Sequence, residues 1–302
     1  MKRGADRFRA SPPAETSAAG LGLRLSPTPS VFVVAARGMA RRSTSKARDA
    51  KPGRERKARV VAHGQRRSAR RDKPIDLYYW PTPNGFKISI MLEECRLPYS
   101  LIPVNIAKGE QFKPQFLAIS PNNRMPAIVD HDGPGGRPIS IFESGAILQY
   151  LGRKTGKFYP QDERGRVEVE QWLYWQMANL GPKAGEANHF RHYAAAEQQH
   201  YAIDRFTNEI NRIFGVMNRR LADREFLAGR YSIADMACVG WVRLHKRLGQ
   251  DLDDFAHLKR WFETVLARPA VDRGIHLRVE EASRVNMQDP AVRAVLFSQR
   301  AR

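Results

Sequence analysis

The sequence predicts a compact α/β domain followed by an all-helical domain, with a disordered basic tail in front of both. Three observations support this architecture. Basic residues are concentrated in the first 73 positions, strand and helix patterns alternate from Ile75 to about Tyr159, and only helical patterns follow. The predicted segments are a tail over 1–73, an α/β domain over 74–157, a helical domain over 165–272 and a C-terminal appendage over 273–302.

The tail carries most of the charge of the chain. Residues 1–73 contain 20 Lys or Arg against 5 Asp or Glu, and so hold +15 of the formal net charge of +20. The segment is rich in Arg, Ser, Pro and Gly, poor in aromatic residues and aperiodic, which predicts disorder. Its composition fits an organelle transit peptide, an arm for nucleic acid or anionic membranes, a secretion signal, or a solvated leader or over-extended start.

Two features of the tail narrow these alternatives. The apolar run 31–36 is too short to span a bilayer, and no long apolar stretch follows Arg41–Arg42. Nothing in the chain resembles a structured nucleic-acid-binding module. We therefore predict no transmembrane segment and no specific nucleic-acid partner.

The α/β domain is predicted from its alternating patterns. Strands are expected at Ile75–Trp80, Tyr99–Val104, Ala127–Asp130 and Ile139–Phe142. Helices are expected near Asn84–Arg96, Lys113–Ile119 and Glu143–Lys154. Because Asp130–Gly136 is a turn sequence between adjacent strands, the last two strands should form a hairpin.

The helical domain is predicted from apolar residues at helical spacing. The expected helices are Gly165–Asn179, Ile203–Leu221, Ser232–Arg247 and Leu258–Ala267. Ser232 stands three residues before Asp235, a capping arrangement that we assign a structural role. Trp172, Trp175, Trp241 and Trp261 fit packing better than cofactor binding, and no histidine is assigned a catalytic role.

The loop Trp80–Lys87 is the strongest local indication of a site. It joins the first predicted strand to the first predicted helix, so it lies at a helix N-terminus. Free backbone N–H groups and the helix dipole favour an anion there, such as a thiolate, and Thr82 and Asn84 add side-chain donors. The alternative is that Asn84 only caps the helix while the prolines stiffen the turn.

The two cysteines, Cys95 and Cys238, both fall within apolar helical patterns. The chain has no Cys-x-x-Cys pair and no Cys/His spacing typical of zinc ligands. We therefore expect neither a metal site nor a redox dithiol. Free buried thiols fit a reducing compartment, and a cytoplasmic location is expected.

Five blocks, taken in order, resemble the glutathione transferases. They are Pro81–Gly85, Lys108–Phe112, Ser120–Asp130, Phe142–Ile147 and Tyr231–Asp235. The first two blocks, with Gln171–Gln176 and Gly181–Pro182, are most similar to the nu class of bacterial glutathione-dependent disulfide-bond oxidoreductases, whose fungal relatives include a nitrogen-regulatory protein. The resemblance covers residues 75–272 and implies a thioredoxin-like N-terminal domain, an all-α C-terminal domain and a homodimer.

The resemblance also implies how glutathione would be bound. Met125–Pro126 would be a cis peptide bond, with the Met125 backbone pairing with the cysteinyl unit; an ordinary trans proline is the alternative. The Ser144 hydroxyl and nearby helix N–H groups suit the γ-glutamyl carboxylate, and Glu143 suits its ammonium; a plain helix start is the alternative.

Three further residues match family positions that contact glutathione. Gln111 and Arg124 would contact the tripeptide, and Arg124 could pair with its glycyl carboxylate. Arg205 resembles an arginine that reaches over the cleft towards a bound carboxylate. Outside this context, each of these side chains would be read as an ordinary solvated residue.

The activity that the resemblance implies is thiol–disulfide exchange in which glutathione supplies the sulfur. Thr82 and Asn84 would stabilise its thiolate, and the substrates would be small or peptide disulfides. No Tyr or Ser occupies the activating position of the loop, which disfavours conjugation of electrophiles. Conjugation, peroxide reduction and a non-catalytic binding or regulatory role remain alternatives.

A truncated chain that begins at Lys73 is expected to fold, dimerise and keep its full disulfide-reductase activity. The physical reason is that the charge of the tail is segregated and its pattern is aperiodic, so the folded part should not depend on it. Sedimentation analysis and turnover of the truncated and full-length chains test this prediction. A loss of dimers, or a large fall in turnover, would contradict it.

Overall fold

The computed structural model describes residues 74–194 and 199–300. The tail over 1–73, for which the sequence predicts disorder, lies outside the described residues. Within the described part of the chain, no helix is both long enough and apolar enough to cross a membrane.

The first half is a four-stranded mixed sheet with helices packed on it. Its elements are β1 (Ile75–Tyr79), α1 (Pro83–Cys95), β2 (Tyr99–Pro103), α2 (Pro114–Leu117), β3 (Ala127–Asp130), β4 (Ile139–Phe142) and α3 (Ser144–Thr155). The strand order is β2-β1-β3-β4, with β1 parallel to β2 and antiparallel to β3. The predicted hairpin is present, since β3 pairs antiparallel with β4 and Ala127 faces Phe142. The thioredoxin-like half predicted from the sequence is confirmed.

The second half is helical. Its helices are α4 (Glu163–Trp175), α5 (Gly181–His192), α6 (Gln199–Arg220), α7 (Ile233–Val242), α8 (Ala256–Leu266), α9 (Pro269–His276), α10 (Val279–Ser283) and α11 (Pro290–Phe297). A π-helical segment, Gln176–Leu180, joins α4 to α5. The prediction of a helical second half is confirmed.

Helix α1 is enclosed by both halves. It packs against α3 of the first half and against α7 and α9 of the second. Ile88, Ile90, Met91 and Leu92 are all fully buried, so the helix is apolar on most of its surface. A helix with that character belongs in the interior of a protein rather than at its surface.

Helix α1 begins at Pro83 because Thr82, not Asn84, is its N-cap. The Thr82 Oγ1 accepts a hydrogen bond from the Gly85 N–H at 3.2 Å. Proline is favoured at the first helical position, where its missing N–H costs nothing. The alternative role considered for Asn84, as a simple cap, is therefore wrong.

Helix α7 is anchored by the capping box predicted from Ser232 and Asp235. The Ser232 hydroxyl accepts from the Ala234 N–H at 3.3 Å, and the Asp235 carboxylate accepts from the Ser232 N–H at 3.0 Å. The Trp261 indole donates to the same carboxylate at 2.8 Å. Burial nevertheless raises the pKa of Asp235 to about 6.

Several element boundaries differ from those predicted. Helix α4 gives way to the π-helical segment at Gln176, and α7 ends at Val242 because the following N–H groups of Leu244 and His245 bond three residues back. The sequence pattern does not predict helix α5, since Gly181, Pro182 and Gly185 are poor helix formers. Packing against α6 stabilises it instead.

The appendage over 273–302 contains α10 and α11, which the sequence patterns do not predict. Helix α11 packs against the short turn Ile106–Lys108 of the first half. A Cβ placed on Gly109 would lie 3.7 Å from a Val295 methyl carbon. This contact brings the last described helix to the edge of the α/β half.

We expect Gly274→Ala to destabilise the fold by about 1–3 kcal/mol, the usual cost of overpacking. An added Cβ would lie 2.8 Å from the Ile90 backbone nitrogen, and backbone cannot move aside cheaply. Gly215→Ala in α6 is the matched control, because its Cβ would meet only the Arg219 side chain at 3.5 Å. That control should be neutral or stabilising, since Ala is the better helix former. Equal effects on denaturant midpoints would contradict this packing.

Candidate functional site

A pocket of about 360 Å³ lies where the first turns of α1 and α3 meet the loop before β3. Its wall is completed by Leu296 of α11. The residues that line it are Thr82, Asn84, Ile106, Gln111, Asn122, Asn123, Arg124, Met125, Pro126, Phe142, Glu143, Ser144 and Leu296.

Eight of the nine residues predicted for the site line this pocket. They are Thr82, Asn84, Gln111, Arg124, Met125, Pro126, Glu143 and Ser144. Arg205 is not among the lining residues. It lies on the exposed face of α6, where its guanidinium forms an ion pair with Glu209 at 3.6 Å. This local i,i+4 pair is the contact that the structure gives it.

The α1 end of the pocket presents two side-chain donors. The Thr82 oxygen already accepts from the Gly85 N–H, which leaves its hydroxyl proton available. The Asn84 amide oxygen accepts from the Trp241 indole N–H at 3.3 Å. Because an indole N–H can only donate, this contact fixes which side of the amide is oxygen and leaves the amide N–H₂ as a donor.

The opposite wall is formed by the loop before β3. The Met125–Pro126 peptide bond is cis, as the resemblance implies. Gln111 is buried, and its amide N–H₂ donates to the Ile106 carbonyl at 3.3 Å. Among the described residues its Oε1 has no hydrogen-bond partner, so it is an acceptor on the pocket wall. Arg124 is exposed and brings a positive charge to the rim.

The α3 end combines one carboxylate with one buried hydroxyl. Glu143 has φ 67°, a conformation that residues other than Gly rarely adopt and that is often found at functional sites. Its carboxylate accepts from the Asn122 amide at 3.3 Å and stays exposed. Ser144, the first residue of α3, is buried at the helix N-terminus, where an anion is favoured.

Lys87 is a further polar residue at this end, and the sequence patterns do not single it out. It is 1% exposed, and its ammonium donates to the Gln176 amide oxygen at 2.6 Å and to Ser144 Oγ at 3.3 Å. Burial lowers the pKa of Lys87 to about 7. One feature of the sequence does point to its burial: α1 is apolar on most faces, which leaves little exposed surface for a lysine.

Two charged residues of α5, Lys183 and Glu186, pair with each other. Their side chains are 3.3 Å apart, and the Lys183 ammonium also lies 5.5 Å from the centre of the Phe206 ring. These contacts are on the helix surface, and neither residue lines the pocket.

Neither cysteine lines the pocket. Cys95 and Cys238 are both buried, and burial raises the pKa of each thiol, which keeps it protonated. Among the described residues, no three His, Cys, Asp or Glu side chains lie together in a way suited to a metal ion. The pocket therefore offers neutral donors, a helix N-terminus and two opposite charges to a small polar molecule.

Comparison with known proteins agrees with this geometry. The model of the glutathione S-transferase N-terminal domain matches residues 73–153, and that of the C-terminal domain matches residues 182–269. Together these matches span more than half of the chain. The chain belongs to the glutathione S-transferase family.

Relatives within the family support the more specific resemblance. The disulfide-bond oxidoreductase YfcG of Escherichia coli is 49% identical over 203 residues, which cover 67% of this chain and 94% of that protein. The URE2 protein of Debaryomyces hansenii is 30% identical over 233 residues, covering 64% of this chain and 74% of that one. Similarity to bacterial disulfide-bond oxidoreductases and to a fungal relative is thus confirmed.

A solved structure shows what a family member binds. A glutathione transferase from Pseudomonas putida has 42% sequence identity and a TM-score of 0.66, covering 70% of this chain and 94% of that one. It was solved with one glutathione disulfide bound per subunit. A glutathione transferase from Burkholderia graminis, with 42% sequence identity and a TM-score of 0.65 over 68% of this chain and 89% of that one, was solved with two glutathione molecules bound per subunit.

Proposed function

We propose that this protein is a glutathione-dependent disulfide-bond oxidoreductase whose reactive sulfur belongs to bound glutathione. The observation that carries the proposal is the composition of one pocket. It joins thiolate-stabilising donors at the start of α1 to a carboxylate-binding helix N-terminus at the start of α3. No cysteine is present among its lining residues.

The two ends of the pocket suit the two ends of the γ-glutamyl–cysteinyl unit. The γ-glutamyl carboxylate would accept from the Ser144 hydroxyl and the first N–H groups of α3. The Glu143 carboxylate would accept from its ammonium. The cysteinyl backbone would pair with Met125, as an added strand pairs with a sheet edge. Gln111 and Arg124 would contact the glycyl end.

In this arrangement the glutathione sulfur lies near Thr82 and Asn84. Their hydroxyl and amide donors, with the N-terminus of α1, favour the thiolate over the thiol and so lower its pKa. Moderate lowering is the useful range, because nucleophilicity falls as the thiol pKa falls. The indole of Trp241 supports this role by holding the Asn84 amide with its N–H₂ group free.

The exchange itself requires two sulfur displacements. The bound glutathione thiolate attacks one sulfur of the substrate disulfide, forming a mixed disulfide and releasing the other sulfur as a thiolate that takes up a proton. A second glutathione thiolate then attacks the glutathione sulfur of the mixed disulfide. Glutathione disulfide forms, and the second substrate sulfur leaves as a thiolate. The two electrons that reduce the substrate come from two glutathione molecules.

One comparison of activities tests the proposal. Glutathione-dependent reduction of 2-hydroxyethyl disulfide should exceed conjugation of 1-chloro-2,4-dinitrobenzene, because the loop has no Tyr or Ser at its activating position. Dominant conjugation would identify a general transferase. Glutathione binding without turnover of either compound would identify a binding or regulatory module.

We also propose a cytoplasmic homodimer, on the basis of family membership and two free, buried cysteines. Sedimentation of the full-length chain tests the assembly, and fractionation of cells that produce it tests the location. A monomer at the concentrations used for assay would contradict the first proposal.

Ser144→Ala and Glu143→Gln should each weaken glutathione binding by about 1–3 kcal/mol, the usual contribution of a hydrogen bond to a charged group. Titration calorimetry measures the effect. The matched controls are Ser283→Ala on α10 and Glu263→Gln on α8, which make the same chemical changes away from the pocket. Unchanged affinity in both pocket variants would refute the assignment.

Asn84→Ala and Thr82→Ala should each lower the rate of glutathione-dependent disulfide reduction roughly tenfold, if one donor contributes about 1.4 kcal/mol at the transition state. Thiolate absorbance should show a higher pKa for bound glutathione in both. Thr82→Ser, which keeps the hydroxyl as both helix cap and donor, is the control for loss of the Thr82 methyl group and should keep wild-type turnover.

The same mechanism predicts that a folded Cys95→Ser, Cys238→Ser double variant keeps its activity. Circular dichroism and turnover on the disulfide substrate are the measurements. An inactive but folded double variant, beside fully active Asn84→Ala and Thr82→Ala, would show that a protein cysteine is the nucleophile.

A further inference from the structure

A lysine with no carboxylate partner is buried directly behind the pocket. No carboxylate among the described residues lies within ion-pair distance of the Lys87 ammonium, although the side chain is 1% exposed. Its partners are neutral: Gln176 Oε1 at 2.6 Å, Ser144 Oγ at 3.3 Å and Met177 Sδ at 3.5 Å. Burying an unpaired charge is costly, so another interaction is expected to compensate for it.

The contact with Ser144 has a directional consequence. An ammonium group donates hydrogen bonds and cannot accept them, so the Ser144 oxygen accepts and its proton must point elsewhere. Among the described residues, the other contact of this hydroxyl is Met177 Sδ at 3.8 Å, and a thioether is a weak acceptor. Ser144 also lines the pocket, so a carboxylate bound there would accept a hydrogen bond from its hydroxyl.

We propose that Lys87 is a positioning residue for the γ-glutamyl carboxylate, which fixes the Ser144 hydroxyl as a donor and places a buried positive charge behind it. This inference rests on the proposed function, because it takes a γ-glutamyl group as the occupant of the pocket. Lys87 would thereby favour ligands that carry an α-carboxylate at the α3 end of the pocket.

The surroundings of Lys87 contain few titratable groups. Glu143 ahead of α3 acts on it electrostatically and favours its charged form, whereas the Cys238 thiol on α7 stays protonated and uncharged. The π-helical segment presents only the neutral Gln176 and Met177. Burial outweighs the effect of Glu143 and lowers the pKa of Lys87 to about 7.

The charged residues of α9, the remaining helix packed on α1, are engaged elsewhere. Arg273 pairs with Glu93 at 2.8 Å, and Asp272 pairs with His276 at 3.1 Å. Helix α9 contacts α1 through Gly274, which packs on Ile90. No charge on α9 therefore offsets the ammonium.

The position of Lys87 predicts a proton linkage with a definite sign. A bound carboxylate favours the charged ammonium and raises its pKa, so the protein takes up a proton on binding when the pH is above about 7. Affinity is then greatest below pH 7 and decreases as the pH rises towards the pKa of the bound state. The decrease is at most about tenfold per pH unit for one proton.

The test is calorimetry with S-methylglutathione, which has no thiol proton to release. The full-length chain is titrated at pH 6.5, 7.5 and 8.5 in buffers of different ionisation enthalpy, which separates proton uptake from binding heat. At pH 7.5, where the γ-glutamyl amine of the ligand is still mostly protonated, wild-type protein should take up a fraction of a proton. Lys87→Met should bind about tenfold more weakly at pH 6.5 and take up less proton at pH 7.5, and the uptake that remains at pH 8.5 belongs to the ligand's own amine.

Three comparisons make the result specific. Lys259→Met removes an exposed lysine of α8 and should behave as wild type. An S-methylated γ-aminobutyryl analogue, which keeps the amine but lacks the α-carboxylate, should bind wild type and Lys87→Met equally and without proton uptake at pH 7.5. Lys87→Met and Ser144→Ala should be non-additive in the double variant, because one residue acts through the other.

The outcomes separate this inference from the proposed function. If wild type does not bind S-methylglutathione, both are overturned. If it binds, and Lys87→Met keeps the same affinity and proton uptake, the inference alone is overturned. If Lys87→Met does not fold, the wild-type data at pH 7.5 decide: uptake with S-methylglutathione but not with the analogue supports the role of Lys87, and equal uptake overturns it.

Discussion

The start of α1 must satisfy two opposing demands, and the rest of the structure depends on this constraint. Its first turn has to remain open to the pocket, yet the helix behind it is enclosed by α3, α7 and α9. Helix α7 packs very closely on the first turn of α1, since a Cβ on Gly240 would lie 3.0 Å from the Pro83 carbonyl oxygen. The helical half therefore holds the donors of the α/β half in place, and the pocket belongs to both.

Much of this arrangement could be predicted from the sequence, because its signals are local. Strands β3 and β4 have the predicted bounds, and Ser232 with Asp235 forms the predicted capping box. Helix starts are also local features, which explains why Thr82 and Ser144 were found by reading along the chain. The family resemblance then placed Gln111 and Met125 beside them, and all four line one pocket.

The residues that escaped prediction depend on contacts between distant parts of the chain. Lysine in a helical pattern is normally read as exposed, and only the Gln176 amide, 89 residues away in the sequence, gives Lys87 a buried partner. Arg205 stays a prediction: it is exposed on α6, forms a surface ion pair with Glu209 and does not line the pocket. Helix α11 likewise has no strong pattern of its own, and its place follows from its contact with Ile106–Lys108.

The contact between Lys87 and Gln176 also bears on how such proteins diverge. The ammonium belongs to the α/β half, and its shortest hydrogen bond ends on the π-helical segment of the other half. The halves are therefore not interchangeable modules. A recombinant that inherited its helical half from a relative without an acceptor at this point would bury a cation with a principal partner missing, so the two positions should be inherited together.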